Sequence, residues 1–140
     1  MVKFVRNDVT NFTPEQRAQL QKVILAVSAE AGLRAQRDAE LHDASAIAEG
    51  KTLFASTDLR CSECHQFHNK DEDATAPDLT RYGSREWLIS FITDPRQEHF
   101  YGKRNDRMPA FGAEQILDAQ AIGLLADWLR GEWYVPPARP

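Results

Sequence analysis

The two cysteines of this 140-residue chain constrain its fold most strongly, because both fall in one pentapeptide, Cys61-Ser62-Glu63-Cys64-His65. A disulfide between them would close a loop too short to stabilise a domain, so the sequence excludes a disulfide scaffold. The composition is that of an ordinary globular protein, with 42% hydrophobic residues. A hydrophobic core must therefore hold the domain together, and the cysteines require a chemical explanation.

The spacing Cys-x-x-Cys-His is the pattern that attaches a c-type haem. In such a site Cys61 and Cys64 form thioether bonds to the two vinyl groups of the porphyrin, and His65 is the proximal iron ligand. A redox dithiol would sit in a βαβ unit, which the sequence does not predict. A zinc site would have to take all four ligands, His68 included, from eight consecutive residues. We therefore predict one covalent haem c.

The sixth ligand of the iron decides whether the haem transfers electrons or binds small molecules. Met108 is the predicted ligand, because the only other methionine is Met1 and because Met108 lies in an irregular segment stiffened by a proline. Ligation by His65 and Met108 predicts electron transfer rather than catalysis. His68 and His99 are the alternative ligands, although His68 is close to the proximal side. The alternative function is a haem-based sensor or enzyme with an exchangeable sixth ligand.

Hydrophobic spacing predicts an all-α chain with long loops, since no segment shows the alternation of a strand. The first helix is expected to begin at a capping box that joins Thr13 and Gln16, with Pro14 in the first helical position. Three further helices are predicted, over 34–56, Ser84–Thr93 and Ala113–Arg130.

The charge and the hydropathy limit the partners and the location of the chain. A net charge of −4 excludes a nucleic-acid partner, which needs a basic surface. No apolar run approaches the roughly 20 residues of a membrane span, and the first residues lack the apolar core of a secretory signal. Because c-type haem is normally attached outside the cytoplasm, we expect a mature or excised domain in the periplasm, or at the outer face of the cytoplasmic membrane.

The order of motifs resembles the class I cytochromes c over about residues 45–131. That order is Ile-Ala-Glu-Gly-Lys-x-Leu-Phe (47–54), the haem pentapeptide, Ala-Pro-Asp-Leu (76–79), a Trp-bearing helix, Met-Pro-Ala-Phe (108–111) and a final amphipathic helix. The resemblance implies a class I cytochrome c fold around one haem. It divides the chain into an N-terminal helical extension (1–44), a haem domain (45–134) and a Pro-rich tail (135–140).

Segments 82–88 and 105–111 are also similar to the monohaem c domains attached to cytochrome b in bacterial quinol-oxidising bc-type complexes. This narrower likeness implies redox protein partners in a respiratory chain, such as subunits of a cytochrome bc-type complex. It also implies that the full-length protein is tethered to a membrane.

The resemblance further implies roles for residues outside the pentapeptide. Pro77 matches the proline whose carbonyl group bonds the second ring nitrogen of the proximal histidine. Residues expected to hydrogen-bond the haem propionates are Tyr82, Trp87, Arg104 and Arg107. Core packing is the alternative role of Trp87, and a solvated charge is that of the arginines.

Two expectations concern how the helices pack. In class I cytochromes c the positions of Gly50 and Phe54 pack on the C-terminal helix, where Leu125 or Trp128 would be the partner. The extension is additional to that fold, and the apolar face of its first helix must be buried, most simply within the same chain. This face consists of Leu20, Val23, Ile24 and Val27.

Overall fold

The computed structural model describes residues 3–70, 74–105 and 107–132, and every regular element within these ranges is helical. The α-helices there are α1 (Pro14–Ala29), α2 (Arg37–His42), α3 (Ala44–Leu53), α4 (Arg85–Thr93) and α5 (Ala119–Leu129). A π-helical turn covers Phe4–Asp8, and 3-10 turns cover Val9–Asn11, Arg34–Gln36, Cys61–Glu63 and Gly102–Arg104. The all-α prediction is confirmed. None of the helices in these ranges has the length and apolar character needed to cross a bilayer. The Pro-rich tail (135–140) lies outside the described residues.

The start of α1 follows the predicted capping box. The backbone N–H of Gln16 donates to Oγ1 of Thr13 over 3.2 Å, and the Gln16 side chain accepts from the backbone N–H of Thr13 over 3.0 Å. Pro14 occupies the first helical position, where its missing N–H would have had no partner. Two otherwise unsatisfied donors are thereby paired at this end of the helix.

The prediction of one helix over 34–56 is wrong, because the chain breaks at Asp43 between α2 and α3. Asp43 has φ −93° and ψ 12°, outside the helical region. The backbone N–H of Asp43 still bonds the carbonyl of Ala39, and that of Ile47 bonds the carbonyl of Asp43, each over 2.9 Å. The helix is therefore interrupted at Asp43, while these backbone groups stay hydrogen-bonded.

The final helix begins six residues later than predicted, at Ala119 instead of Ala113. Asp118 caps it by accepting from the backbone N–H of Ala121 over 2.7 Å. The preceding segment is a loop in which Gln115 adopts a left-handed conformation (φ 57°). Ile116 is consequently 53% exposed and does not contribute to the core face of α5.

The main packing contact joins α1 to α3, and it contradicts the expected partner of Gly50. A Cβ atom at Gly50 would overlap the carbonyl oxygen of Lys22 and lie 3.0 Å from Cβ of Ala26, so the two helices touch backbone to backbone. Phe54 is buried in the same core. The predicted contact of Gly50 and Phe54 with α5 is therefore wrong. The core cluster beneath α1 consists of Val23, Ala26, Phe54, Leu59 and Phe67.

The other contact between long helices joins α4 to α5. Ser84 caps α4 by accepting from the backbone N–H of Trp87, so the predicted helix over Ser84–Thr93 is confirmed. Arg85 reaches across to Asp127 with two hydrogen bonds of 2.6 and 3.1 Å. Trp128 of α5, one of the two expected partners of Gly50 and Phe54, is 61% exposed.

Candidate functional site

The pentapeptide turn is held between two buried anchors. Leu59, two residues before it, is fully buried, and Phe67, two residues after it, is 6% exposed. The ring of Phe67 packs against Phe54 of α3 with 4.6 Å between the ring centres. These apolar anchors fix the turn on the α1–α3 core.

Cys61 and Cys64 form no disulfide with each other. Cys61 is half-buried, and burial raises the pKa of its thiol. Cys64 is exposed. The backbone N–H of His65 bonds the carbonyl of Cys61 over 3.1 Å, which closes the turn and places these three side chains on one short segment. The two cysteines can thus hold one group from neighbouring positions.

His65 is oriented by the proline predicted for this purpose. Its Nδ1 atom lies 2.9 Å from the carbonyl oxygen of Pro77, at hydrogen-bond distance. With a proton on Nδ1, the other ring nitrogen, Nε2, carries the lone pair that can ligate a metal. The loop that carries Pro77 is itself bonded to the turn, since the N–H groups of Thr75 and Ala76 both donate to the carbonyl of Cys64, over 3.1 and 3.0 Å.

A cavity of about 700 Å³ opens beside this turn. Cys61, Cys64 and His65 form part of its lining, together with Leu79 and Tyr82. The apolar side chains from α1 that line it are Leu20, Val23, Ile24 and Val27, and Ser28 adds a polar one. The predicted burial of this apolar face within the chain is confirmed for Val23, whereas Ile24 faces the cavity and is 50% exposed.

The residues around the cavity fit a haem. The volume lies within the roughly 300–1,000 Å³ typical of cofactor sites, and the lining is mostly apolar with a few convergent polar groups. Two thiols and one imidazole stand at its border in the arrangement that a covalent haem requires. Cys61 and Cys64 would hold the porphyrin edge, and Nε2 of His65 would ligate the iron.

Met108 is not among the residues that line the cavity. It is half-buried in the loop after the Gly102–Arg104 turn, where the side chain of Asn105 donates to its carbonyl oxygen over 2.7 Å. His99, an alternative ligand, is exposed and also lies outside the lining. His68, the other alternative, turns to α1 and bonds Glu30 over 2.8 Å. The structure therefore brings the proximal ligand to the cavity and leaves the sixth ligand a prediction.

Of the four residues expected to bond propionates, Tyr82 alone lines the cavity. Trp87 donates its indole N–H to the carbonyl of Asp78 over 3.3 Å and stacks on Phe91 with 5.0 Å between ring centres. Arg104 donates to the carbonyl of Thr75. Packing is thus the role of Trp87 that the structure displays, and its contact with propionates stays a prediction.

Arg107 is exposed and does not line the cavity. Its role toward the propionates, like that of Arg104, stays a prediction.

Part of the cavity wall was not predicted from the sequence. Phe4, Val5 and Val9 line it from the π-helical turn and the 3-10 turn that precede α1. Phe4 also meets Phe12 edge to face with 6.2 Å between ring centres. Hydrophobic spacing could not identify these three residues as a buried face, because three apolar residues in a short charged segment do not define a helical or strand period. The apolar face of α1 was the only pointer to this side of the cavity.

A helical fold that holds Cys-x-x-Cys-His against an apolar cavity defines a covalent haem protein. The family model described as Cytochrome c matches residues 47–133, which is more than half of the chain, so this chain belongs to the cytochrome c family. It binds one haem c covalently and serves in haem-based electron transfer, as members of that family do. Searches of curated proteins and of solved structures returned no significant match.

Proposed function

We propose that this chain transfers single electrons through a haem ligated by His65 and Met108, as a carrier or as a domain of a respiratory complex. The observation that carries the proposal is the hydrogen bond between Nδ1 of His65 and the carbonyl of Pro77. It fixes the imidazole and raises its basicity, which suits a permanent iron ligand. A haem with two protein ligands changes oxidation state without binding a substrate.

Two features support Met108 as the sixth ligand. It is the only methionine other than Met1. The Gly102–Arg104 turn, which precedes the loop of Met108, is also linked to the pentapeptide turn. Arg104 donates to the carbonyl of Thr75, and the N–H of Thr75 donates to the carbonyl of Cys64. A thioether ligand raises the reduction potential relative to a second histidine, which favours electron acceptance from a quinol-oxidising chain.

Substitution of the proposed ligand tests this assignment. Met108→Ala should abolish the iron–sulfur charge-transfer band and lower the reduction potential, and the reduced protein should gain carbon monoxide binding. His99→Ala is the matched control and should leave the band and the potential unchanged. If His99→Ala moves them and Met108→Ala does not, His99 is the ligand and the proposal is wrong.

A haem with an exchangeable sixth position is the second candidate, and the position of Met108 outside the cavity lining favours it. Such a protein would act as a sensor or as an enzyme on a small ligand. It predicts that the unsubstituted reduced protein binds carbon monoxide readily, whereas firm ligation by His65 and Met108 predicts poor binding. A titration followed in the Soret band separates the two candidates.

Covalent attachment has a simple test of its own. Haem should stay with the polypeptide when the purified protein is extracted with acidified acetone, and Cys61→Ser combined with Cys64→Ser should release it into the solvent. Free extraction from the unsubstituted protein would exclude thioether bonds at Cys61 and Cys64.

Location and partners follow as parts of the same proposal. Because c-type haem is attached outside the cytoplasm, we place the chain in the periplasm or at the outer face of the cytoplasmic membrane. The net charge of −4 favours a redox partner with a positively charged docking surface, such as a subunit of a cytochrome bc-type complex. Rapid mixing of the two should give electron transfer whose rate falls as ionic strength rises.

A further inference from the structure

The N-terminal extension lies outside the residues matched by the family model, which begin at residue 47. It nevertheless forms a large part of the lining of the cavity beside the attachment turn. Most of the contributing side chains are apolar, with Asp8 and Ser28 as the polar exceptions, and they come from α1 and from the turns before it. The apolar side chains of the extension that line the cavity include Val5, Leu20, Val23, Ile24 and Val27.

The extension is fixed in this position by close packing and by buried polar contacts. Gly50 of α3 allows the backbone of α1 at Lys22 to approach directly. Just after the last residue of α1, the side chain of Glu30 is only 6% exposed and accepts hydrogen bonds from His68 and from the backbone N–H of Arg81, each over 2.8 Å. Arg130, with 8% of its side chain exposed, donates to the carbonyl of Ala31 over 2.7 Å. The wall is therefore part of the folded core.

Two side chains of this wall are left open to the cavity. Val5 is 48% exposed and Ile24 is 50% exposed, and both line this mostly apolar cavity. Leu41 of α2 is 71% exposed but does not line the cavity. Burial of apolar surface is favourable, and a planar apolar group held at Cys61 and Cys64 would cover the first two side chains without affecting the third.

We propose that the extension is a built-in wall of the haem pocket, in which the apolar stripe of α1 contacts the porphyrin and excludes water from it. This inference rests on haem attachment at Cys61 and Cys64. An apolar wall disfavours the more highly charged oxidised state, so the extension also raises the reduction potential. The extension then forms part of the redox site of this chain and does more than connect the haem domain to another segment.

Proton NMR of the reduced, diamagnetic holoprotein tests the contact directly. Methyl groups of Ile24 and Val27 should show nuclear Overhauser cross-peaks to haem protons and upfield ring-current shifts, while those of Leu41 should show neither. Absence of cross-peaks from α1 in a protein that retains covalent haem would overturn the inference and leave the proposed function intact. Loss of the haem itself on acetone extraction would instead contradict the proposed function.

A pair of matched variants adds a second readout. Ile24→Asn should lower the reduction potential measured by voltammetry, and Leu41→Asn should leave it at the value of the unsubstituted protein. Equal potentials in both variants would contradict the exclusion of water by α1. The NMR experiment uses the unsubstituted protein, so a folding defect in Ile24→Asn does not remove the test.

Discussion

The carboxylate of Glu30, near the end of α1, accepts a hydrogen bond of 2.8 Å from Nε2 of His68, three residues after the predicted iron ligand. Lys51 of α3 lies 3.2 Å from the same carboxylate, and the backbone N–H of Arg81 donates to its other oxygen. One nearly buried charge thus joins the extension, α3 and the two loops that flank the haem site.

Removal of this carboxylate should destabilise the whole domain. Glu30→Ala leaves His68 and Lys51 without their shared partner, so we expect the free energy of unfolding to fall by about 2 kcal/mol. Glu114→Ala is the matched control, because Glu114 pairs with Arg96 on the surface and is 44% exposed. Its loss should cost about 0.5 kcal/mol or less. Urea unfolding followed by circular dichroism measures both, and equal losses would show that the Glu30 network contributes little.

The same carboxylate makes stability depend on acid. Burial raises the pKa of Glu30, but the hydrogen bonds from His68, Arg81 and Lys51 outweigh it, so the pKa in the folded state lies below the ordinary value. A depressed carboxyl pKa contributes stability above the unfolded-state pKa of about 4.3, and this contribution is lost as the pH falls through the folded-state pKa.

Glu30→Gln should therefore show a weaker acid dependence than the unsubstituted protein. It cannot lose a charge at position 30, so its unfolding free energy should fall less steeply below about pH 4.3. Urea unfolding at a series of pH values provides the comparison. Identical acid profiles for the two proteins would rule out a contribution from this carboxyl group.

Arg130 links the end of α5 to the end of α1. Its guanidinium donates to the carbonyls of Ala31 and Gly83, each over 2.7 Å, and is almost buried. Arg130→Met should lower the free energy of unfolding by about 2 kcal/mol, because two partly buried carbonyl groups lose a charged donor. Arg96→Met serves as the control, since Arg96 is 47% exposed and pairs with surface carboxylates. Thermal unfolding should rank the two variants clearly, and a larger loss in Arg96→Met would contradict the role given to Arg130.

Two glycine substitutions test the contact between α1 and α3. Gly50→Ala forces a Cβ atom against the carbonyl of Lys22 and should destabilise the protein by about 2 kcal/mol or more. Gly123→Ala makes the same change within α5, where the nearest atom belongs to the guanidinium at the end of the Arg85 side chain, 3.2 Å away. The gain in helix propensity there should keep stability within about 1 kcal/mol of the original. If both variants are equally stable, α3 does not pack on α1 as described.

Much of the local structure was readable from the sequence, because its causes are local. The predicted capping box joins Thr13 and Gln16, which are three positions apart, so the sequence spacing alone specifies its bonds. The break at Asp43 has no such signal, since no glycine or proline lies between residues 33 and 49. The start of α5 at Ala119 was not predicted, because the apolar spacing continues upstream to Ile116.

The sequence by itself determined the chemistry of the site, since two thiols and an imidazole at this spacing specify a covalent haem. It also determined the helical class and the apolar face of α1. Only the tertiary structure decided that α3 packs on α1 instead of α5, and that the extension lines the cavity beside His65. Apolar periodicity shows that a face must be buried but carries no information about its partner. That choice depends on close-packed shape complementarity between residues distant in the chain, as at Gly50 and Lys22.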